Sequence, residues 1–300
     1  NKKNNYKNKK NNSKLMKKKN ILILGSEGQI GAHLVDFFKQ KKNYNISKFD
    51  LVLGKAHDLR ETSNKNLERK IKSSDFIFFL AFDVGGSRYL KKYQRTYEFL
   101  MNNLFIMGNV FKLINKYNKK FIFASSQMSN MDSSPYGTLK KLGEDITKSL
   151  DGIYVKFWNV YGIEKDLNKS HVITDFILMA LKDKKIKMLT SGKESREFLY
   201  ADDCSKGLFT IMNKFTFFIK QKKELHLTTS KRIKIIEIAK IIKKILSKRK
   251  INISIEPSKK KDELQNNINN VANKFLLKYW KPSRSIDQDI EKIINYYQGV

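Results

Sequence analysis

The amino-acid sequence predicts an α/β fold in which a doubly wound parallel sheet is followed by a smaller α/β domain. Short, continuous apolar runs recur in the first half of the chain, and such runs are typical of parallel strands buried on both faces. The first run, residues 21–24, leads directly into a glycine-rich turn and then into a helix-spaced apolar pattern. Three hundred residues allow one or two domains with a substantial core.

The turn after the first predicted strand has the glycine spacing of a dinucleotide-binding turn. Between a strand and a helix, the first glycine permits a tight bend, the second lets the backbone approach a pyrophosphate, and the third lets helix and strand pack closely. The helix N-terminus then faces the anion. Asp50 ends the second predicted strand, residues 45–50, where an acid binds ribose hydroxyls. We therefore predict a Rossmann-type domain whose turn holds the cofactor through Gly25, Gly28, Gln29, Ile30 and Gly31.

Tyr136 and Lys140 are spaced to lie one above the other on a helix, ten residues after Ser126. A nearby ammonium favours the phenolate, so Lys140 and a cationic nicotinamide ring are expected to lower the pKa of Tyr136. Tyrosine starts from a pKa of about 10, and partial ionisation near neutrality needs a shift of roughly 2–3 units. Ser126 ends an apolar strand and would hydrogen-bond the substrate oxygen that Tyr136 deprotonates.

Composition excludes several other classes of protein. The formal charge is +32, from 61 Lys and Arg against 29 Asp and Glu, but the excess is spread along the whole chain rather than concentrated in one patch. We therefore expect no nucleic-acid partner, although the positive field would steer an anionic substrate towards its cleft. No apolar run approaches the ~18 residues of a membrane span, so no membrane association is expected. The single cysteine, Cys204, fits a reducing compartment and a cytoplasmic enzyme. No metal-ligand spacing is present, so no metal site is predicted.

The domain boundaries follow from the same patterns. Residues 1–19 contain nine lysines and no acid, and they are expected to form a disordered basic tail in which Met16 is a possible start of translation. Residues 20–160 should form the dinucleotide-binding domain and residues 161–300 mainly the substrate-binding domain. The segment 201–213 is expected to return to the first domain as a helix.

From residue 20 onwards the chain resembles the extended short-chain dehydrogenase/reductase family of nucleotide-sugar epimerases, dehydratases and reductases. Each motif is short, but their order and spacing together are specific. The segments that carry the resemblance are Gly25-x-x-Gly28-x-x-Gly31, His57-Asp58-Leu59-Arg60, Leu80-Ala81-Phe82, Asn103, Ser125-Ser126, Tyr136 with Lys140, Trp158-Asn159-Val160-Tyr161-Gly162, and Arg196-Glu197-Phe198-Leu199-Tyr200-Ala201-Asp202-Asp203.

This resemblance implies roles for further residues. It implies that Asp58 contacts the adenine and Leu59 covers it, that Leu80 and Ala81 lie against the cofactor, and that Trp158 borders the nicotinamide. Asn103 would tie its helix to the catalytic strand. The substrate would be held by Gly86 and Ser87 in a loop resembling that of enzymes acting on GDP-sugars, by Ser126 and Asn159, and by Arg196 as a bidentate phosphate ligand.

Two departures from the family pattern narrow the reaction. The 4,6-dehydratases have an Asp-Glu pair after the catalytic Ser or Thr, and the decarboxylases have a Glu nearby, whereas this chain has Gln127-Met128. The epimerase-reductase of GDP-fucose synthesis has an acid/base Cys at the position of Gln127. However, the segment 170–173 resembles the one in which that enzyme keeps its second acid/base. His171 could therefore transfer protons near neutral pH or serve only to bind the substrate.

Three functions remain open at this stage. The favoured one is an NAD-dependent nucleotide-sugar epimerase that oxidises and re-reduces a sugar carbon, C4 first. The alternative is a reductase, similar to GDP-fucose synthase, that uses NADH or NADPH once on a 4-keto-sugar. A dinucleotide-sensing module without turnover is the third. The resemblance implies NAD as cofactor, with NADP possible, a nucleotide-sugar as substrate, and a homodimer.

Overall fold

The structure is a computed structural model that describes residues 18–131, 133–260 and 270–299. Residues 1–17, which include Met16 and almost all of the basic tail predicted above, lie outside the described residues. The strands are β1 (Lys19–Leu24), β2 (Tyr44–Phe49), β3 (Phe76–Phe79), β4 (Phe121–Ser126), β5 (Ile153–Phe157), β6 (Val160–Tyr161), β7 (Lys185–Lys187), β8 (Ser195–Glu197), β9 (Leu199–Tyr200), β10 (Leu225–Leu227), β11 (Arg232–Lys234) and β12 (Ser254–Glu256). The α-helices are α1 (Gln29–Lys39), α2 (Lys65–Ser73), α3 (Ser87–Tyr93), α4 (Tyr97–Lys116), α5 (Pro135–Ser149), α6 (Val172–Asp183), α7 (Ala201–Asn213), α8 (Phe215–Gln221), α9 (Ile235–Lys248) and α10 (Ile286–Gln298).

The central sheet has six parallel strands in the order β10-β5-β4-β3-β1-β2. The chain first moves outward from β1 to β2 and then returns to the other side of β1 with β3. This reversal places the topological switch point between β1 and β3, and ligands bind such sheets outside the carboxyl ends of the strands at that point. The predicted α/β fold with a doubly wound parallel sheet is confirmed.

Alternating side chains of β1 pack into two separate hydrophobic layers. Ile21 and Ile23 are completely buried against α1 and α7 on one face of the sheet. Leu22 and Leu24 are completely buried against α2, α4 and α5 on the other face. Because successive strand residues point to opposite faces, a continuous apolar run is the pattern expected of a strand covered on both sides.

Helices α6, α9 and α10, together with short strand pairs, form a second lobe with its own core. Apolar side chains of α6, α9 and α10 pack together there, with Ile177, Ile242 and Ile294 completely buried. Three strand pairs border this core: β7 with β12, β8 with β11, and β6 with β9.

The return of the chain to the first layer is longer than the segment 201–213 suggested by the sequence. Helix α7 packs against α1, as that suggestion requires. However, α8 and β10 follow α7 onto the same half of the molecule, and β10 becomes an edge strand of the central sheet beside β5. Its three residues, Leu225-His226-Leu227, are too few to be recognised as a strand by periodicity.

The segment between β3 and β4 contains two helices rather than one. Helix α3 ends at Tyr93, and α4 starts at Tyr97 with Thr96 as its N-cap. The Thr96 hydroxyl accepts a hydrogen bond from the backbone N–H of Phe99, which satisfies one of the free donors of the helix start.

Candidate active site

A cleft of about 630 Å³ lies at the carboxyl ends of the central strands. Its lining brings together residues that are widely separated in the sequence. Among the residues predicted above to form a site, those that line it are Gly25, Gly28, Gln29, Ile30, Gly31, Asp50, Asp58, Leu59, Leu80, Ala81, Gly86, Ser87, Ser126, Tyr136, Lys140, Asn159 and His171. Trp158 and Arg196 are absent from the lining.

Close backbone packing explains two of the three glycines in the turn before α1. Gly25 has a φ of 82°, and a Cβ there would lie 2.7 Å from the backbone nitrogen of Ala81. A Cβ on Gly31 would lie 1.9 Å from the carbonyl oxygen of Gly25. Gly28 is different, because the nearest atom to a Cβ there is 3.5 Å away and the residue faces the cleft. The turn thus leaves room for a phosphate at the N-terminus of α1, so these residues fit a dinucleotide pyrophosphate.

Asp50 and Asp58 both line the cleft and are held by hydrogen bonds or ion pairs. The Asp50 carboxylate accepts hydrogen bonds from the backbone N–H groups of Glu27 (3.0 Å) and Val52 (3.2 Å), which fix its position beside the glycine turn. Asp58 is paired with Arg60, whose Nη2 lies 2.7 Å from Asp58 Oδ2, and this pairing lowers the pKa of the carboxyl.

Glu27 forms ion pairs with two lysines beside the glycine turn. Its carboxylate lies 2.7 Å from Lys48 Nζ and 3.1 Å from Lys165 Nζ. The ion pair with Lys48 lowers the pKa of Glu27 and keeps the ammonium at the glycine turn. Because Lys165 comes from the loop after β6, the second pair also joins the two walls of the cleft.

Ser126, Tyr136 and Lys140 meet where β4 ends and α5 begins. Ser134 is the N-cap of α5, and its hydroxyl accepts a hydrogen bond from the backbone N–H of Gly137. A Cβ on Gly137 would lie 2.1 Å from the carbonyl oxygen of Met128, so this glycine lets the first turn of the helix pack against the end of the catalytic strand.

Burial disfavours the charged forms of both Tyr136 and Lys140. Burial raises the pKa of Tyr136 to about 12, and a hydrogen bond with Ser126 acts in the opposite direction. Burial also lowers the pKa of Lys140 well below its usual range. Lys140 Nζ donates to the carbonyl oxygen of Ala124 at 2.7 Å and lies 3.6 Å from the centre of the Phe82 ring. The lowered Tyr136 pKa expected from the sequence therefore needs positive charge beyond the protein's own groups, and an oxidised nicotinamide ring would supply it.

The loop containing Gly86 is packed against a second loop of the protein. A Cβ on Gly86 would lie 2.2 Å from the carbonyl oxygen of Ser170, and Gly86 N–H donates to the carbonyl oxygen of Lys169 at 2.9 Å. Lys169 Nζ also pairs with Asp83 at 2.8 Å. The adjacent glycines therefore allow this loop to pack closely against the segment that leads to His171.

Glu164, which the sequence analysis did not single out, forms a pair with His171. Glu164 Oε1 lies 2.6 Å from His171 Nδ1, and Oε2 accepts a hydrogen bond from the His171 backbone N–H at 3.0 Å. Glu164 is 5% exposed, whereas 39% of the His171 side chain is open to the cleft. Both residues lie in loops, so neither helical nor strand spacing links them. The acid seven positions before the histidine is the only signal in the sequence.

Replacing Glu164 with glutamine is expected to lower the pKa of His171, because it removes the carboxylate charge that favours the imidazolium. Burial alone would lower this pKa, but the Glu164 carboxylate outweighs it and raises the pKa above its usual value. The same pairing lowers the pKa of Glu164. The pair therefore stabilises the fold most between the ordinary Glu pKa of about 4.3 and the ordinary His pKa of about 6.5, and this contribution is lost as the pH rises through the raised pKa of His171.

The chain has only four histidines, so proton NMR of the imidazole signals can follow the titration of His171. The His171→Asn variant assigns its signal. The signals of His33 and His226 are the internal controls. An unchanged His171 titration in Glu164→Gln would show that the carboxylate does not set the charge of the ring.

Three side chains lie elsewhere than the resemblance implied. The Trp158 indole N–H donates to His226 Nδ1 at 3.1 Å in the interior, and its neighbour Phe157 lines the cleft instead. Arg196 lies on β8, where Nη1 donates to the carbonyl oxygen of Ser195, and burial lowers its pKa to about 10. Asn103 ties α4 to Asp83 after β3 rather than to the catalytic strand, since its amide accepts from Asp83 N–H at 2.7 Å.

The side chain of Gln127 lines the cleft and is hydrogen-bonded to Asn270. Its side-chain and backbone oxygens both accept hydrogen bonds from the Asn270 amide. An amide at this position, next to Ser126, cannot donate or accept a proton as a carboxylic acid would.

Comparison with known proteins agrees with this arrangement. The model of the NAD dependent epimerase/dehydratase family matches residues 21–222. The chain belongs to the NAD-dependent epimerase/dehydratase family. The motifs that indicated extended short-chain dehydrogenases all lie within the matched residues, so the resemblance stated from the sequence is confirmed. The chain is an NAD(P)-dependent enzyme of this family.

Individual members of this family are related to the chain at low identity. A putative UDP-glucose 4-epimerase of Methanocaldococcus jannaschii is 25% identical over 93% of this chain and 98% of the relative. The UDP-N-acetylglucosamine 4-epimerase of Methanobrevibacter ruminantium has the same fold, with a TM-score of 0.74, 22% identity, and coverage of 95% and 99% of the two chains. A GDP-6-OMe-4-keto-L-xylo-heptose reductase of C. jejuni has a TM-score of 0.75, 18% identity, and coverage of 94% and 98%.

Within the described ranges, no helix is long and apolar enough to cross a membrane. The same part of the chain contains no group of three or more His, Cys, Asp or Glu side chains that could hold a metal ion.

Proposed function

We propose that the chain is an NAD-dependent nucleotide-sugar epimerase that inverts one sugar carbon, with C4 as the first candidate. One observation carries this proposal: Ser126, Tyr136 and Lys140 line the same cleft as the glycine turn, while the position after Ser126 holds the hydrogen-bonded amide of Gln127. Epimerisation by oxidation and re-reduction needs one proton-transfer group at the reacting oxygen. Elimination and decarboxylation need the additional carboxylate that Gln127 replaces.

Each residue of the trio has a distinct task in this reaction. Bound NAD supplies the acceptor and then the donor of a hydride at the sugar carbon. Tyr136 takes the proton of the hydroxyl group on that carbon and later returns it to the same oxygen. Ser126 hydrogen-bonds the same oxygen, and Lys140 holds positive charge beside the phenol. The sugar must turn over within the cleft between the two proton transfers.

The test of this proposal is to supply GDP-, UDP- and dTDP-sugars without added cofactor and to follow the products by NMR. An epimerase forms a C4-inverted product and needs no external reductant, because the cofactor is restored in each turnover. Product that forms only from a 4-keto-sugar with stoichiometric NADH or NADPH would replace the epimerase with a reductase.

The reductase is a second candidate because of the pair formed by His171 and Glu164. The carboxylate favours an imidazolium whose second ring nitrogen is available to a substrate in the cleft, and such a group can donate a proton. The fold is also shared with the C. jejuni keto-heptose reductase. A histidine that only binds a sugar or phosphate oxygen fits the epimerase equally, so the cofactor requirement decides between them.

We expect NAD to bind at least about tenfold more tightly than NADP. The Asp50 carboxylate would accept from the ribose hydroxyls but repel a 2′-phosphate, and Glu27 holds Lys48 in an ion pair. Calorimetric titration of both dinucleotides measures the ratio. Asp50→Asn keeps an acceptor oxygen without the charge and should reduce the preference. Tighter binding of NADP to the unmodified chain would contradict the assignment of Asp50.

We also propose a homodimer formed through α4 and α5. Tyr97, Leu104, Phe105 and Leu142 are 73%, 39%, 44% and 43% exposed on these two adjacent helices. Light scattering should give twice the mass of one chain, and Leu104→Glu combined with Phe105→Glu should give the single-chain mass. Leu189→Glu is the matched control, since Leu189 is 57% exposed outside both helices. A single-chain mass before mutation would exclude this dimer.

A further inference from the structure

A completely buried carboxylate lies one helical turn after Lys140. Glu144 is 0% exposed, and its Oε1 accepts a hydrogen bond from the Ser125 hydroxyl at 2.5 Å. Among the described residues, Oε2 has no hydrogen-bond partner. A buried, incompletely bonded carboxylate is costly for stability, so its presence calls for another explanation.

Two lysine ammonium groups lie close to the Glu144 carboxylate. Lys156 on β5 is 1% exposed, and its Nζ lies 3.7 Å from Glu144 Oε2. Lys141 on the same helix lies 3.6 Å from that oxygen. Lys156 is itself oriented by Asn130 Oδ1 at 2.6 Å and by Glu224 Oε1 at 3.1 Å. These contacts hold a negative charge in the interior beside α5.

The remaining neighbours of Lys140 do not provide such a charge. Its side chain is 3% exposed, so it has lost most of the hydration that stabilises an ammonium. The Ala124 carbonyl and the Phe82 ring are neutral groups. Burial favours the neutral amine, and the charge of Glu144 favours the ammonium. A neutral Lys140 could not favour the Tyr136 phenolate.

We propose that Glu144 is a positioning residue for the reaction, whose buried negative charge opposes the loss of the Lys140 proton that burial favours and whose bond to Ser125 fixes the end of β4 next to Ser126. This inference rests on the proposed roles of Tyr136 and Lys140. Glu144 acts through Lys140 and Ser125 and contacts no reacting atom in this scheme. Charge rather than shape is the property that matters.

Two substitutions separate charge from shape. Glu144→Gln keeps the size of the side chain and an acceptor for Ser125 but removes the charge. Glu144→Asp keeps the charge but shortens the side chain. A purely structural Glu144 predicts the opposite order of damage, because glutamine would then be the better replacement. Glu237→Gln on α9 is the matched control for the loss of one negative charge, since Glu237 is 47% exposed and pairs with Lys240.

The readout is the reactivity of the Lys140 amine towards acetic anhydride as a function of pH, in the full chain, measured by peptide mass spectrometry. Only the neutral amine reacts. A fall of about one unit in the pKa of Lys140 therefore raises its labelling rate about tenfold, at any pH below the Lys140 pKa values of both the unmodified chain and the variant. Fragment ions separate Lys140 from Lys141. Lys148, 51% exposed, serves as the internal reference. The charged side chains around Glu144 in this titration are Lys140 and Lys141 on its own helix and Lys156 on β5. Glu224 forms an ion pair with Lys156.

We expect about tenfold faster labelling of Lys140 in Glu144→Gln and unchanged labelling in Glu144→Asp and Glu237→Gln. With a substrate in hand, the alkaline limb of kcat/KM should move to lower pH in Glu144→Gln alone. Unchanged labelling in Glu144→Gln would overturn the proposal. If Glu144→Gln does not fold, faster labelling in Glu144→Asp would overturn it as well. Labelling does not depend on turnover, so its result stands apart from the proposed reaction, which fails separately if Tyr136→Phe retains activity.

Discussion

Tyr136→Phe should lower kcat by about a thousandfold, within the usual 10²–10⁴-fold contribution of one acid/base group. The substitution removes a single oxygen, and that oxygen is the proton-transfer atom of the proposed reaction. The ring is 8% exposed and packs against Phe82 at 5.7 Å between ring centres, so the phenylalanine should keep its place. Steady-state kinetics on any accepted nucleotide-sugar measures the loss.

Dinucleotide binding should remain nearly intact in Tyr136→Phe, because the glycine turn, Asp50 and Lys140 are unchanged. Calorimetry of both proteins with NAD checks this. Tyr117→Phe is the matched control, since it removes a phenol that is hydrogen-bonded to Glu68 at 2.7 Å, outside the cleft lining. Equal activity of Tyr136→Phe and the unmodified chain would exclude Tyr136 as the catalytic base.

Gly31→Ala should lower the free energy of unfolding by about 1–3 kcal/mol or more and abolish dinucleotide binding. The added Cβ would overlap the carbonyl oxygen of Gly25 at 1.9 Å, and both atoms belong to rigid backbone. Relief requires moving α1 away from β1, which would displace the N-terminus of the helix from the phosphate site. Thermal unfolding and calorimetry with NAD measure the two effects.

Gly28→Ala is the informative partner of Gly31→Ala. Gly28 has φ and ψ of −68° and 167°, which any residue adopts, and the nearest atom to its Cβ would be 3.5 Å away. The folded chain should therefore tolerate alanine with little change in melting temperature. Binding of NAD should weaken about ten- to a hundredfold, because the methyl group would enter the space left for the pyrophosphate and weaken a charged hydrogen bond. Unchanged NAD binding by Gly28→Ala would place the phosphates elsewhere.

Local patterns allowed much of the first half of the chain to be predicted. The strand, turn and helix from residue 19 to 39 depend on side-chain alternation, on glycine conformation and on helical spacing, all within about twenty residues. The pairing of Tyr136 with Lys140 is equally local, since one helical turn separates them. Each of these features would form with the same geometry in any doubly wound sheet.

Side-chain direction near strand ends was less predictable. Phe157 and Trp158 are adjacent aromatics, and successive residues of an extended segment point to opposite faces. In the structure Phe157 is the register partner of Ser126, which lines the cleft, and Trp158 turns to His226. A shift of one residue would exchange the two rings, and nothing in the local sequence sets that register. Arg196 is a similar case, because its position on β8 beside β11 directs it away from the cleft lining.

The sequence by itself determined the class of fold, and it predicted a dinucleotide-binding turn and a set of proton-transfer residues from spacing within single elements. The tertiary structure decided which charges surround them. Glu27 meets Lys165 across 138 positions, Glu144 meets Lys156 between a helix and a strand, and Glu164 turns back onto His171 within a loop. The pKa values of the cleft residues depend on these contacts and on burial, and both arise only when the elements pack together.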